Sequence, residues 1–357
     1  MTTQELNQEK AQAFAGQMLG IMNGASLALM TSIGHQTGLF DTMAGLAPST
    51  SQQVAAAAGL NERYVREWLG AMVTGRIVEY DPAGGTYTLP PEHAGFLTRA
   101  AGTNNMASFT QFIPMVGIVE AGIINSFRNG GGVPYSEYPG FTKLMAEMSG
   151  ATYDGTLIEK TLPLIPGLVA QLQSGIDVAD LACGSGHAIN VMAKAFPNSR
   201  FTGFDFSETG IATGTAEAKS LGLSNARFVL QDISLLSTPA AFDLITVFDG
   251  IHDQAKPRIV LKNIAAALKP GGTFLMVDVA ASSHVHENLD HPLAPFFYTI
   301  STMHCMTVSL ALGGEGLGAA WGEQKARELL AEAGFAQVDV QRVEGDMMNN
   351  YYIATKG

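Results

Sequence analysis

The spacing of hydrophobic and polar positions changes along this chain, and the change divides it. Over residues 25–46 apolar side chains recur at helical spacing, and residues 47–51 then read as the start of another helix. Residues 52–58 and 61–74 follow as two short helices joined at 59–61, and residues 77–89 as two strands turning at Asp81-Pro82-Ala83-Gly84-Gly85. Two short helices followed by such a strand pair form a winged-helix pattern. From 104 to 150 the pattern is apolar and helical, with a Gly-rich break at 129–132 and a close rich in Met and aromatic residues at 141–150. Within it Met115, Phe141 and Met145 are candidates to face a substrate, although such a stripe is more often plain core.

Beyond residue 176 the rhythm becomes short β-rich runs at 177–182, 200–205, 227–231, 242–248 and 272–278, separated by helical segments. That alternation predicts an α/β fold, a mostly parallel sheet with helices on both faces. The last two runs, 337–343 and 350–356, have only a short connection and must pair antiparallel. Between the fifth strand and a helix at 322–333 lie roughly 40 residues with four histidines and many aromatics, too apolar for disorder and longer than a connection needs. They read as a substrate lid. The expected organisation is a winged-helix domain at 1–100, a helical bridge at 101–160 and an α/β domain at 161–357 with the lid at 280–320.

Composition narrows the setting. At 357 residues two cores are expected, and 46% hydrophobic against 15% charged residues is the balance of a folded chain. The apolar stretches, 21–30 and 242–248 among them, are broken by Asn, Ser and Asp, so no membrane span is expected. The first ten residues are polar and carry no secretory pattern, and Cys183 and Cys305 stand in no zinc spacing, which together predict a cytoplasmic protein without disulfides. A net charge of −12 opposes binding to a polyphosphate backbone. The winged-helix region follows suit: Lys10, Arg63, Arg66, Arg76 and Arg99 face Glu5, Glu9, Asp41, Glu62, Glu67, Glu79, Asp81 and Glu92. Nucleic acid is not an expected partner, and dimerisation through the apolar helices at 27–40 is.

The strongest local signal is Asp180-Leu-Ala-Cys-Gly184-Ser-Gly186-His, at the end of a predicted strand and the start of a helix. Glycines there let a ligand approach the backbone, and the helix offers free N–H groups. A dinucleotide site would place a third glycine where Ile189 stands, and here an acid already precedes the glycines. Asp205 ends the second strand, where a carboxylate can accept from both ribose hydroxyls, and Asp232 ends the third, where one can accept from an adenine amino group.

Three acids on successive strand ends make the chain resemble the class I methyltransferases over about residues 160–357, with their Rossmann-like seven-stranded sheet. The resemblance implies S-adenosyl-L-methionine as cofactor. Asp180, Gly184 and Gly186 match the family's first motif, Asp205 the ribose acid, Asp232 the adenine-edge acid, and Leu268-Lys-Pro-Gly-Gly-Thr the turn before the fifth strand. Ala182, Phe206, Ile233, Phe248 and Asp249 flank these positions and join the implied cofactor site. A narrower resemblance, Ile251-His252-Asp253-Gln254, is to the His-Asp-Trp segment of small-molecule O-methyltransferases, whose histidine is the general base and which carry a winged-helix dimerisation domain. Gln254 replaces the tryptophan. The layout is also similar to a mycobacterial and wider bacterial group of methyltransferases.

The resemblance makes His252 and Asp253 the candidate catalytic residues for in-line methyl transfer to a small-molecule acceptor, most simply a hydroxyl. Thiol or amine acceptors, a SAM-using lyase or cyclase, and a ligand-sensing winged-helix regulator remain as alternatives. In the lid, His291, Tyr298, His304 and Trp321 are expected to line the acceptor pocket. Loop spacing shows no fixed ligand geometry for His284, His286, His291 and His304, so no metal is expected.

Overall fold

The computed structural model describes residues 6–357 and divides into a compact unit ending at Met115 and a second, Val116–Gly357. The segment 101–160, expected as a bridge, is shared between them.

In the first unit, α1 (Gln8–Gln36) and α2 (Leu39–Ala44) replace the single helix expected at 25–46. Gly38, at φ 72°, makes the break between them, a conformation that a residue without Cβ adopts freely. α3 (Ser51–Ala58) starts at a reciprocal cap between Thr50 and Gln53, and α4 (Glu62–Thr74) starts at Asn61, whose side chain accepts from the Arg63 amide. β1 (Glu79–Asp81) and β2 (Thr86–Thr88) pair antiparallel as the wing. Phe40, Val54, Leu69 and Met72 fill the core; Trp68 packs edge-on to Phe40 at 5.3 Å and donates to the Met30 carbonyl at 2.8 Å.

The first two-thirds of α1 carries its apolar side chains outward. Phe14, Met18, Leu19, Ile21 and Met22 are all exposed, and the helix has no Asp, Glu, Lys or Arg after Lys10. α1 is 29 residues long and contains an 18-residue stretch of mean hydropathy 1.3, enough to cross a membrane by length and composition alone. The apolar stretch expected to be short is part of one longer helix. Asn23 and Ser26 interrupt the apolar run in sequence but not the helix. The apolar face expected to be free at 27–40 lies earlier, because Leu39 and Phe40 are buried.

In the second unit seven strands form one sheet: β3 (Asp177–Leu181), β4 (Arg200–Asp205), β5 (Ala226–Leu230), β6 (Phe242–Phe248), β7 (Leu268–Val279), β8 (Val338–Gln341) and β9 (Asn349–Thr355). Their order is β5-β4-β3-β6-β7-β9-β8, parallel except where β9 pairs with β7 and β8. The strands alternate between two cores, as a period of two requires. Ala179, Leu181, Ile245, Val247 and Phe274 meet the helices Pro257–Ala267 and Gly322–Glu332; Val178, Leu244 and Leu275 meet Leu168–Ser174 and His187–Ala195. The chain leaves β3 toward β4 on one side and returns to β6 on the other, so the strand order reverses between β3 and β6, where open α/β sheets bind ligands.

Two helical runs of this unit contain π-helical turns. Phe141–Thr152 passes into Tyr153–Thr161, and Ala294–Ile300 passes through Ser301–Cys305 into Met306–Ala311. The second lies within the segment expected as a lid. Such turns collect at functional sites.

Truncating Phe40, fully buried in the first unit, to alanine is expected to destabilise that unit by about 3–5 kcal/mol. Urea unfolding followed by the fluorescence of Trp68 measures the loss.

Candidate active site

The residues that close β3 and β6, neighbours at the switch point, are both left-handed: Ala182 at φ 56° and Asp249 at φ 51°. Residues other than glycine rarely adopt this region, and such strain collects at functional sites. A Cβ on Gly250 would stand 2.9 Å from that of Ala182, so the second turn needs glycine to fit beside the first. Gly184, at φ 55°, opens on free space, whereas a Cβ on Gly186 would meet the Phe228 ring at 2.2 Å. Two glycines outside the motif complete the cradle. In the helix Glu208–Ser220, a Cβ on Gly210 would fall 2.4 Å from the Gly184 carbonyl, and one on Gly214 2.9 Å from that of Ser185.

Carboxylates line this crevice. Asp180 is buried with Oδ1 accepting from the Thr246 hydroxyl at 2.7 Å, and burial pushes its pKa up to about 7. Asp205 accepts from the Gly184 and Ser207 amides at 2.8 Å each, which ties the glycine turn to the end of β4. Burial raises its pKa against those bonds. Asp249 is pushed up to about 7 by burial and by the neighbouring Asp278, and its Oδ1 is buried without a hydrogen-bond partner. Asp232 is exposed and caps the short helix Ile233–Leu235, with Ile233 turned into the core. Phe206 is exposed beside Asp205, and Phe248 packs on Tyr153 at 5.2 Å. A pyrophosphate would be repelled here. A cation with ribose hydroxyls fits the donor set, and S-adenosylmethionine is one.

At the end of β6 the chain builds a second cluster. His252 Nδ1 is 2.7 Å from Asp278 Oδ1, which also accepts from the Trp321 indole at 3.0 Å and the Val279 amide at 2.8 Å. His252 Nε2 lies 3.3 Å from Asp253 Oδ1. Burial opposes charge on His252, but Asp278 and Asp253 outweigh it and hold the pKa well above the ordinary value. Asp253 Oδ2 accepts from the Tyr135 hydroxyl at 3.0 Å, and His304 Nδ1 stands 4.0 Å from the same oxygen. Phe141 stacks on the His304 ring at 4.0 Å, with Tyr138 and Tyr135 edge-on at 4.8 and 5.3 Å. Burial keeps His304 below its usual pKa.

The structure thus brings Phe141 and His304 together with His252 and Asp253. Trp321 stands in the core and holds Asp278 rather than lining open space. Tyr298 and His291 bond within their own segment, to Asn288 and to the Leu293 amide. Met145 is half-buried on the helix Phe141–Thr152, and Met115 is buried in the first unit. Gln254, at the place of the tryptophan, donates to the Gly250 carbonyl. The four lid histidines form no common ligand set: His284 and His286 stack on the surface, His291 packs on Phe297 and His304 lies in the aromatic cluster. Donor atoms of His252, Asp253 and Cys305 do lie within 4.8 Å of one another. There Asp278 occupies His252 Nδ1, and burial pushes the Cys305 thiol up to about 12. Sequence reasoning missed Tyr135, Asp278, Cys305 and Gly210. Asp278 alone had a signal, as an acid closing a predicted strand.

Two protein families match the chain: an Rv2258c-like winged HTH domain over residues 25–99 and a methyltransferase domain over residues 172–340. The demethylmenaquinone methyltransferase of Lactococcus lactis is 25% identical over 198 residues, which cover 51% of this chain and 74% of that protein. The ubiquinone biosynthesis O-methyltransferase of Coxiella burnetii is 36% identical over 101 residues, 28% of this chain and 41% of its own. Residues 172–340 of this chain carry a methyltransferase domain. Solved structures of like fold include human N-acetylserotonin methyltransferase in complex with SAM, at a TM-score of 0.70 and 17% identity covering 100% of both chains. The mitomycin 7-O-methyltransferase MmcR superposes at a TM-score of 0.71 and 17% identity, covering 98% of this methyltransferase and 100% of its own chain. The strand-end carboxylates are the groups in this chain that suit the charge of S-adenosylmethionine.

A cationic cofactor binds best where Asp180 and Asp249 are ionised. With both pKa values near 7 in the free enzyme, affinity is expected to rise with pH, roughly tenfold between about pH 6 and 8 for each carboxylate that must ionise. Calorimetric titration of S-adenosylmethionine in two buffers of different ionisation enthalpy detects the accompanying proton release; pH-independent binding without proton release excludes these two acids.

Proposed function

We propose that the enzyme methylates a hydroxyl oxygen of a small molecule, with His252 as general base beside Asp253. The observation that carries the reading is the orientation of the imidazole. Asp278 holds Nδ1 and leaves Nε2 toward Asp253 and the aromatic cluster, where a hydroxyl could give up its proton. S-adenosylmethionine supplies an electrophilic methyl group. In the chain itself, Asp180 and the glycine turn suit the amino-acid portion of the cofactor, Asp205 its ribose and Asp232 its adenine edge. Asp278 and Trp321 fix the imidazole, and Phe141, His304 and Tyr138 supply a water-poor wall. The similarity to the Coxiella ubiquinone biosynthesis O-methyltransferase agrees with an oxygen acceptor.

As a base His252 must first lose its Nε2 proton, so kcat/KM for a hydroxyl acceptor rises with pH through a pKa above about 6.5. Asp278→Asn removes the stronger of the two raising charges and is expected to move that limb to lower pH. Acceptors are screened by release of S-adenosylhomocysteine, and a limb that does not move in the variant assigns the proton to another group.

The first unit is read as a dimerisation module in a cytoplasmic enzyme. Its exposed α1 face lacks charge over many turns, and such a face is stabilised by a second copy. On α4, Arg63 and Arg66 pair with Glu67 and Glu62 of the same helix, which offsets the charge that DNA would need. Sedimentation at micromolar concentration should give a dimer, and Met18→Glu with Met22→Glu a monomer. A monomeric wild type removes the module from this role.

A further inference from the structure

Tyr135 has no part in the chemistry above, yet its hydroxyl sits on the candidate catalytic carboxylate. It donates to Asp253 Oδ2 at 3.0 Å, while Oδ1 of the same group faces His252 at 3.3 Å. Its ring lies 5.6 Å from that of Phe206, next to the acid that closes β4, and 5.3 and 6.1 Å from those of His304 and Phe141. Tyr135 therefore spans from the cofactor crevice to the base. Its backbone is fixed on the approach side: the Val133 amide donates to Thr307 Oγ1 at 2.8 Å, and a Cβ on Gly132 would stand 2.0 Å from the Thr307 carbonyl. With the segment before it anchored in this way, the Tyr135 side chain is the part that would have to swing out to vacate the position. Burial, and then Asp253, hold the phenol well above its ordinary pKa, so it remains a donor at neutral pH.

An acceptor hydroxyl has to satisfy the same two conditions, reach to the His252–Asp253 pair and proximity to the cofactor edge. We propose that Tyr135 holds the acceptor's place: its phenol oxygen takes the position on Asp253 that the acceptor hydroxyl takes in turnover, and the acceptor enters by displacing it. This rests on the O-methylation reading. It makes Tyr135 a specificity-determining residue, since an acceptor must hydrogen-bond Asp253 better than a buried phenol does. The rings of Phe141, Phe206 and His304 around the position favour a hydroxyl carried on a ring.

Removing the side chain and offering it back tests the inference. Tyr135→Ala should bind p-cresol, the free tyrosine side chain, at least tenfold more tightly than the wild type by calorimetry. Asp253→Asn in the same background should abolish the gain. With S-adenosylmethionine present, Tyr135→Ala should convert p-cresol to 4-methylanisole: the oxygen–methyl bond forms, the sulfonium–methyl bond breaks, S-adenosylhomocysteine leaves and the phenol proton passes to the His252–Asp253 pair. If the variant binds S-adenosylmethionine as the wild type does but fails to bind p-cresol, or binds it without methylation, the assignment of Tyr135 is overturned and the functional reading stands. If the wild type methylates no hydroxyl compound at all, the functional reading itself fails. Should Tyr135→Ala not fold, 3-fluorotyrosine in the wild type gives a second measurement. The fluorine signal missing from Tyr135→Phe identifies Tyr135; it shifts on titration with p-cresol if the side chain yields its place, and an unmoved signal overturns the proposal.

Discussion

Negative charge withdrawn from water dominates this molecule's second unit. Asp180, Asp205, Asp249, Asp253 and Asp278 converge on the carboxyl edge of the sheet, and Asp278 and Asp253 raise the pKa of His252 set among them. Desolvation makes isolated buried carboxylates costly, so each must be hydrogen-bonded, protonated or paired. Asp278 is hydrogen-bonded three ways, Asp205 accepts two amides, and Asp180 and Asp249 are raised toward neutrality. A cationic cofactor relieves what remains. The same acidic crevice suits a sulfonium better than a nucleotide phosphate, whose charge it would repel.

The backbone carries a matching strain. Ala182 and Asp249 are left-handed side by side at the switch point, and Gly250, Gly210 and Gly214 are the small residues that allow the adjoining segments to close around them. Asp205 joins the two problems, because the carboxylate suited to ribose also accepts the Gly184 amide. The shape of the turn and the charge of the site are therefore set by one side chain.

Much of this was legible in the sequence because it is local. β4 and β6 run as their β-rich segments predict, and Asp180, Gly184, Gly186, Asp205 and Asp232 mark strand ends that a parallel sheet gathers at one edge. The antiparallel pair at the C-terminus follows from a connection too short for a crossover. What escaped is non-local or masked. Tyr135 meets Asp253 across 118 positions and Asp278 meets Trp321 across 43, with no spacing rule to announce either. The length of α1 was hidden by Asn23, Ser26 and several glycines, which read as interruptions although a helix facing outward tolerates them.

The π-helical turn Ser301–Cys305 places His304 and Cys305 within a helical run that continues as ordinary α-helix on either side. Each residue of an α-helix turns the chain by about 100°. Losing a single residue N-terminal to His304 in this turn would swing the imidazole away from Phe141 and Asp253 while leaving the chemistry of all three side chains unchanged. The place of His304 against Phe141 is thus stored partly as a phase along a helix, a property of the backbone that no single side chain carries.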